Sequence, residues 1–103
     1  MVAQSEIWLL ETPNTKQRPV LVVSRNEIIP YINNVVVAPI TSTIREIPTC
    51  IPVGKSEGLN HESVASFDNL STVPKSFLTN RLGSLTNESE LLFCQALNAF
   101  ADC

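Results

Sequence analysis

Short apolar runs separated by proline, glycine and asparagine make up most of the chain. Five of them have the length and the β-branched content of strands. They are EIWLL (6–10), PVLVVS (19–24), NVVVAPI (34–40), TCIPV (49–53) and SVASF (63–67). RLGSL (81–85) fits one more short strand. Residues 20–23 and 35–38 are apolar without alternation, so we expect both faces of these strands to be covered, as in a small coiled sheet or barrel.

The pattern changes from strand to helix after residue 85. Thr86 suits the N-cap position, and Glu88 and Glu90 follow in the first turn, where the helix dipole favours acidic side chains. Apolar residues then recur at helical spacing; they are Phe93, Ala96, Leu97 and Phe100, with Leu92 and Ala99 beside them. The sequence therefore predicts α+β, with a C-terminal amphipathic helix packed on an antiparallel sheet or barrel.

The composition predicts a single domain over residues 1–103, since 44% of the residues are hydrophobic. No run approaches the about 18 apolar residues that span a bilayer, and the N-terminus lacks the pattern of a signal peptide. The odd cysteine count, without metal-ligand spacing, predicts free thiols in a reducing cytosol; these are Cys50, Cys94 and Cys103. His61 lies in a predicted loop, and we expect neither a metal site nor a cofactor.

The charge of the chain limits how it can meet nucleic acid. A net charge of −3 excludes a protein that coats nucleic acid through bulk positive charge. All seven lysines and arginines lie at or before Arg81, so the first 81 residues are about neutral, with seven basic and seven acidic side chains. This distribution leaves room for a local basic groove.

Arg18 stands directly before a buried strand in the stretch KQRPVLVVS (16–24). Pro19 pushes the residue before it into an extended conformation, and proline is accepted as the first residue of a strand. Arg18 is therefore expected on a stiff backbone. Taken alone, such a residue is most often a solvated arginine at the end of a strand.

The strand at 34–40 ends in three hydroxyl side chains, Thr41, Ser42 and Thr43. If strands 19–25 and 34–40 pair antiparallel about a centre between residues 29 and 30, Arg18 and Thr41 meet at the same end of the sheet. A cation beside hydroxyl groups is suited to bind phosphate, although the hydroxyls alone are typical of an ordinary turn.

These segments together resemble the MazF/PemK family of toxin endoribonucleases. The resemblance rests on EIWLL, QRPVLVVS, VVVAPITSTIR and SVASFDNLSTVPKSFLTNRLGSL, in this order and followed by a helix. It implies a small SH3-like antiparallel barrel, a homodimer and cleavage of single-stranded RNA as an mRNA interferase. It also implies a cognate antitoxin whose disordered tail occupies the RNA groove.

The resemblance also implies roles for individual residues. The catalytic arginine of the family falls on Arg18, its active-site threonine on Thr41, and a neighbouring hydroxyl found in some members on Ser42. An aspartate that acts as base in some members falls on Asp68, in FDNLSTV (67–73). The arginine that some of those members carry two positions earlier is Ser66 here.

The loop between the first two strands departs from the family pattern. It is short, ETPNTKQ (11–17), without the GSE stretch of many members, and Gln17 stands where some members have histidine before the arginine. This departure predicts a more open groove. We expect Glu11, Lys16 and Gln17, together with Ser42 and Thr43, to contact the substrate; Glu11 is also the alternative to Asp68 as general base.

With no metal-ligand cluster in the sequence, cleavage is expected to use the 2′-OH of RNA as nucleophile. The expected products are a 2′,3′-cyclic phosphate and a 5′-OH. The alternative function is that of CcdB-type toxins, which share the barrel and bind DNA gyrase without catalysis; a gyrase-binding protein does not need the pair Arg18 and Thr41. A binding module that holds RNA without cutting it is a third interpretation.

Overall fold

The structure is a computed structural model that describes residues 2–14, 16–44 and 46–101. The strands in these residues are β1 (Glu6–Leu10), β2 (Arg18–Val22), β3 (Asn34–Thr41), β4 (Cys50–Val53), β5 (Ser63–Ser66), β6 (Ser71–Pro74) and β7 (Leu78–Ser84). Helix α1 (Asn87–Phe100) follows. Four short 3-10 turns lie between the strands, at Ile29–Tyr31, Lys55–Glu57, Phe67–Asn69 and Lys75–Phe77.

All the strand pairings are antiparallel, in the order β4-β5-β3-β2-β1-β7, with β6 also beside β3. The sheet curls into a half-barrel, which confirms the predicted α+β fold. Six of the seven strands fall on predicted apolar runs. β6 was not predicted, because STVP (71–74) is short and its first two residues are exposed.

Strand β3 is the central strand of the sheet. β2 lies along one of its edges, while β6 and then β5 share the other. Ile40 of β3 pairs with Ala65 of β5, and Val37 of β3 pairs with Ser71 of β6. The two positions are three residues apart on β3 but six residues apart on the segment that contains β5 and β6. The 3-10 turn Phe67–Asn69 takes up the three additional residues, so it projects from the sheet between β5 and β6.

Both faces of the sheet are covered, as the uninterrupted apolar runs predicted. Leu21 and Val23 join one cluster of buried side chains, and Val20 and Val22 join a second cluster on the opposite face. Consecutive residues of β2 therefore point into different cores, as the alternation of a strand requires.

Helix α1 closes the first of these two clusters. Thr86 is its N-cap, as predicted, and the Thr86 Oγ1 atom accepts a hydrogen bond from the Ser89 backbone N–H at 3.2 Å. The Phe93 ring packs edge-on against Phe67, with 5.3 Å between the ring centroids. The prediction that Phe100 faces the core is wrong, since this residue is 46% exposed at the last turn of the helix.

Two glycines bring the backbone of β7 against the turn Lys55–Glu57. Gly58 ends that turn with φ of 97°, a left-handed conformation that favours glycine. A Cβ atom placed on Gly83 would lie 2.1 Å from the carbonyl oxygen of Glu57, and one on Gly58 would lie 2.2 Å from that of Leu82. The two backbones can approach this closely only without side chains at both positions.

The remaining sequence predictions concern the cysteines, the histidine and membrane segments. Cys50 and Cys94 are free, as predicted, and Cys103 lies outside the described residues. His61 is exposed outside the strands and helix, as predicted. Within the described part of the chain, no helix is both long and apolar enough to cross a membrane.

Candidate active site

Arg18 is the first residue of β2, where its side chain is exposed and its backbone faces Leu10 of β1. Strands β2 and β3 are antiparallel, and their pairing runs from Val20 with Pro39 to Val22 with Val37. This confirms the predicted antiparallel pair. This pairing ends at Val20 and Pro39, and Thr41 pairs with Val64 of β5. Continued by two residues, the register of β2 and β3 would set Arg18 opposite Thr41, and opposite residues of an antiparallel pair point to the same face of the sheet.

A pocket of about 270 Å³ opens beside Thr41 on this face. Its lining comes from β3, β4, β5 and the segments that follow them: Pro39, Thr41, Thr43, Cys50, Val64, Ser66 and Asn69. The Thr41 Oγ1 atom accepts a hydrogen bond from the Thr43 backbone N–H at 3.2 Å. This bond orients the Thr41 hydroxyl and leaves its proton to be donated to a ligand.

Asp68 lies next to this pocket along the chain but does not line it. It is exposed in the turn Phe67–Asn69, and its Oδ2 atom accepts a hydrogen bond from the Thr49 hydroxyl at 2.6 Å. Thr49 comes directly before β4, and its carbonyl accepts the Phe67 backbone N–H at 2.8 Å. The carboxylate is thus fixed to the start of β4, one residue from the pocket wall.

The loop before Arg18 carries three of the predicted substrate contacts. The Gln17 side-chain amide donates a hydrogen bond to the Glu11 carboxylate, and the Glu11 backbone N–H donates to the Phe77 carbonyl at 2.8 Å. Lys16, Glu11 and Gln17 are exposed. The structure therefore brings Glu11 and Gln17 together beside Arg18, away from the residues that line the pocket.

The two other hydroxyl residues after β3 differ in their positions. Thr43 lines the pocket, while Ser42 is exposed between Thr41 and Thr43 and does not line it. The sequence interpretation missed Cys50 and Asn69 as pocket residues and noted Ser66 only as a departure from the family pattern. Cys50 pairs with Ser66 across β4 and β5, so both side chains lie on the same face of the sheet.

The chain matches the model of a protein family described as the PemK-like, MazF-like toxin of type II toxin-antitoxin systems, over residues 3–100. The chain belongs to this family. It is 43% identical over 86 residues to endoribonuclease MazF3 of Mycobacterium tuberculosis. This alignment covers 82% of this chain and 84% of that protein.

Solved structures agree with this family assignment. The Mycobacterium tuberculosis toxin MazF-mt6 superposes with a TM-score of 0.84 and 37% identity, covering 94% of this chain and 96% of that one. An endoribonuclease from a mycobacterial species, solved in complex with its cognate antitoxin, superposes with a TM-score of 0.85 and 27% identity. This second likeness covers 97% of this chain and 94% of that one.

Proposed function

We propose that this toxin endoribonuclease cuts single-stranded RNA without a metal ion and leaves a 2′,3′-cyclic phosphate and a 5′-OH. The observation that supports the proposal is the register of β2 and β3, which would set Arg18 opposite Thr41 if continued by two residues, together with the pocket that Thr41 lines. A guanidinium and a hydroxyl in this arrangement are suited to hold the phosphate that is cut.

The reaction needs a nucleophile, a base and an acid. The 2′-OH of the substrate loses its proton to the base and attacks the adjacent phosphorus. The bond from phosphorus to the 5′ oxygen breaks, and the acid gives that oxygen a proton. Negative charge develops on the phosphoryl oxygens, where Arg18 and the Thr41 hydroxyl donate hydrogen bonds that strengthen in the transition state.

A metal ion is not needed for this chemistry because the arginine supplies positive charge and the substrate supplies its own nucleophile. Among residues 2–14, 16–44 and 46–101, no group of three or more histidine, cysteine, aspartate or glutamate side chains is placed to hold a metal ion.

For the general base we propose Asp68, with Glu11 as the alternative. Asp68 adjoins the pocket residue Asn69 along the chain, which supports a position near the 2′-OH of a bound nucleotide. The Thr49 hydroxyl would keep its carboxylate oriented. Glu11 adjoins the Arg18 side of the site instead, where Gln17 holds it.

We further propose that the loop residues Lys16 and Gln17 and the hydroxyls of Ser42 and Thr43 contact the RNA backbone around the cut phosphate. A cognate antitoxin would neutralise the toxin, as supported by the mycobacterial relative that was solved with its antitoxin. RNA as substrate is consistent with a cytoplasmic location.

The reaction type can be tested with purified protein and a pool of single-stranded RNA oligonucleotides in the presence of EDTA. Mass spectrometry of the fragments should find cyclic phosphate and 5′-OH ends. A matched oligonucleotide with one 2′-deoxy residue at the cut should resist cleavage there, because it lacks the nucleophile. Loss of cutting in EDTA, 5′-phosphate ends, or cutting at the 2′-deoxy residue would contradict the mechanism. A chain that binds gyrase and cuts no RNA would support the alternative function.

A further inference from the structure

The pocket beside Thr41 has a volume of about 270 Å³ and a lining of both apolar and polar residues. Pro39 and Val64 give it apolar walls, while Thr43, Ser66 and Asn69 supply polar groups. Single-stranded RNA is recognised through unstacked bases that insert between apolar surfaces and hydrogen-bond along their edges. Because Thr41 also lines the pocket, an occupant of the pocket lies next to the phosphate-binding end of the site.

Asn69 is the side chain in this pocket that carries both a donor and an acceptor in a fixed plane. Its Nδ2 atom donates a hydrogen bond at 3.1 Å to the Oγ atom of Ser66, a residue that is 7% exposed. In the described part of the chain this is the single hydrogen bond of the Asn69 side chain. The bond orients the amide and leaves its oxygen and its second N–H available to a ligand.

We infer that this pocket binds the base adjacent to the cut phosphate, and that Asn69 is a specificity-determining residue that selects this base. The inference rests on the proposed cleavage of RNA and adds which part of the protein distinguishes one base from another. The ligand is one unstacked nucleobase, and the amide pairs with a neighbouring donor and acceptor on its edge, as asparagine pairs with adenine in DNA.

The substitution Asn69→Asp turns this inference into a directional test. A carboxylate accepts hydrogen bonds and donates none, so it needs two neighbouring donors on the base. On its Watson–Crick edge guanine offers N1–H beside the N2 amino group, whereas none of the other three bases has two neighbouring donors on that edge. Asn69→Asp should therefore favour guanine at one position next to the cut.

The measurement is the cleavage rate of a set of RNA oligonucleotides that carry each of the four bases at each position flanking the cut. For Asn69→Asp, the rate with guanine relative to the other bases should rise at one position by about 5- to 150-fold, which corresponds to one bidentate pair. Asn69→Ala should lower discrimination at that same position. Ratios between bases are compared because an added negative charge also lowers binding of RNA as a whole.

Asn80→Asp is the matched control, because it adds the same charge at an exposed position of β7 outside the pocket. It should keep the wild-type ratios at every position. Wild-type ratios in both Asn69 variants would overturn the inference and leave the proposed function intact. A wild-type protein that cuts no RNA would overturn both.

Cys50 provides an independent measure of whether the pocket must be open. The chain has two other cysteines, Cys94 and Cys103, so the experiment starts from the double variant Cys94→Ser, Cys103→Ser. Attaching a bulky maleimide to Cys50 should lower the cleavage rate about tenfold or more relative to the same protein before treatment. The triple variant Cys50→Ser, Cys94→Ser, Cys103→Ser should cut at the same rate before and after treatment. Full activity of the protein labelled at Cys50, with labelling verified by mass, would overturn the assignment of the pocket to a base.

Discussion

Arg18 owes its position to the residues on either side of it. Pro19 restricts the backbone of Arg18 to an extended conformation, and Arg18 also pairs with Leu10 of the neighbouring strand β1. The guanidinium is exposed, while two positions further along the same face Val20 is almost completely buried. A charge mounted in this way loses little conformational freedom when it binds a phosphate, which favours it as a catalytic donor.

Arg18→Ala should lower the rate of RNA cleavage by about 10²–10³-fold, because a preorganised donor to the transition state is lost. Arg18→Lys should restore little, since an ammonium group does not reproduce the fork of a guanidinium. The measurement is the single-turnover rate on one RNA oligonucleotide, with circular dichroism to verify folding.

The control is Arg25→Ala, which removes an exposed arginine from the loop at the opposite end of β2. This variant should cut at close to the wild-type rate. Near-wild-type cutting by Arg18→Ala would contradict the site assignment.

The choice of general base can be tested with two isosteric substitutions. Asp68→Asn should lower the rate by about 10²–10⁴-fold if Asp68 takes the 2′-OH proton, because the amide cannot accept it at neutral pH. Glu11→Gln should have a smaller effect. A large loss in Glu11→Gln with little loss in Asp68→Asn would reverse the assignment, and no loss in either would point to proton transfer through water.

The sequence predicted the antiparallel pairing of β2 with β3, because counting residues about a loop is enough to set that register. The roles of Arg18 and Thr41 stay predictions that rest on this register. Asn69 could not be located in this way, because its position depends on the turn Phe67–Asn69, which adds three residues between β5 and β6. No local pattern in the sequence marks that turn as an excursion.

At the scale of elements, the strands that the sequence predicted are those with buried side chains. Residues 19–22 of β2 and 35–40 of β3 are apolar without interruption because two separate cores flank these strands. β6 escaped prediction because its first two side chains, Ser71 and Thr72, are exposed, and the apolar side chain that follows them, Val73, packs against the second cluster. The burial of Phe100 was wrong for a different reason, since its helical spacing continues the apolar pattern to the last turn of α1, where the residue is exposed.

The contact between β7 and the turn Lys55–Glu57 should be intolerant of any side chain. Gly83→Ala should lower the free energy of unfolding by about 1–3 kcal/mol, because its Cβ atom would overlap the Glu57 carbonyl and force the two backbones apart. Urea denaturation followed by fluorescence of the single tryptophan, Trp8, measures the difference.

Ser84→Ala, at the neighbouring half-buried position of β7, is the matched control and should change the free energy of unfolding by less than about 0.5 kcal/mol. Equal stability of Gly83→Ala and Ser84→Ala would contradict the close approach of the backbones at Gly83.

At the scale of the whole molecule, the apolar side chains that remain on the surface are the main feature unexplained by the monomer. Among residues 2–14, 16–44 and 46–101, six large ones are exposed; they are Ile28, Tyr31, Ile44, Ile47, Leu91 and Phe100. Tyr31 is 87% exposed in the loop between β2 and β3. Single exposed apolar residues are ordinary, but this number on a chain of 103 residues favours association.

We expect the protein to form a symmetric homodimer whose two chains together build the groove for RNA. Sedimentation velocity at micromolar concentration should give the mass of two chains, and dilution should lower cleavage activity as the dimer dissociates. A monomer that remains fully active at micromolar concentration would contradict this expectation.

Strand β3 lies between β2 on one edge and both β5 and β6 on the other. This position affects how the toxin can be inactivated by proteolysis. Fraying at a chain end does not release a strand that is bonded along both edges, and Thr41 lies in such a strand. The end of β3 that carries Thr41 should therefore separate from its neighbours only when the whole sheet unfolds cooperatively, at close to the full free energy of unfolding. A protease that removes residues from exposed chain ends would therefore shorten this protein without inactivating it. The activity of the protein would persist until the whole sheet unfolds.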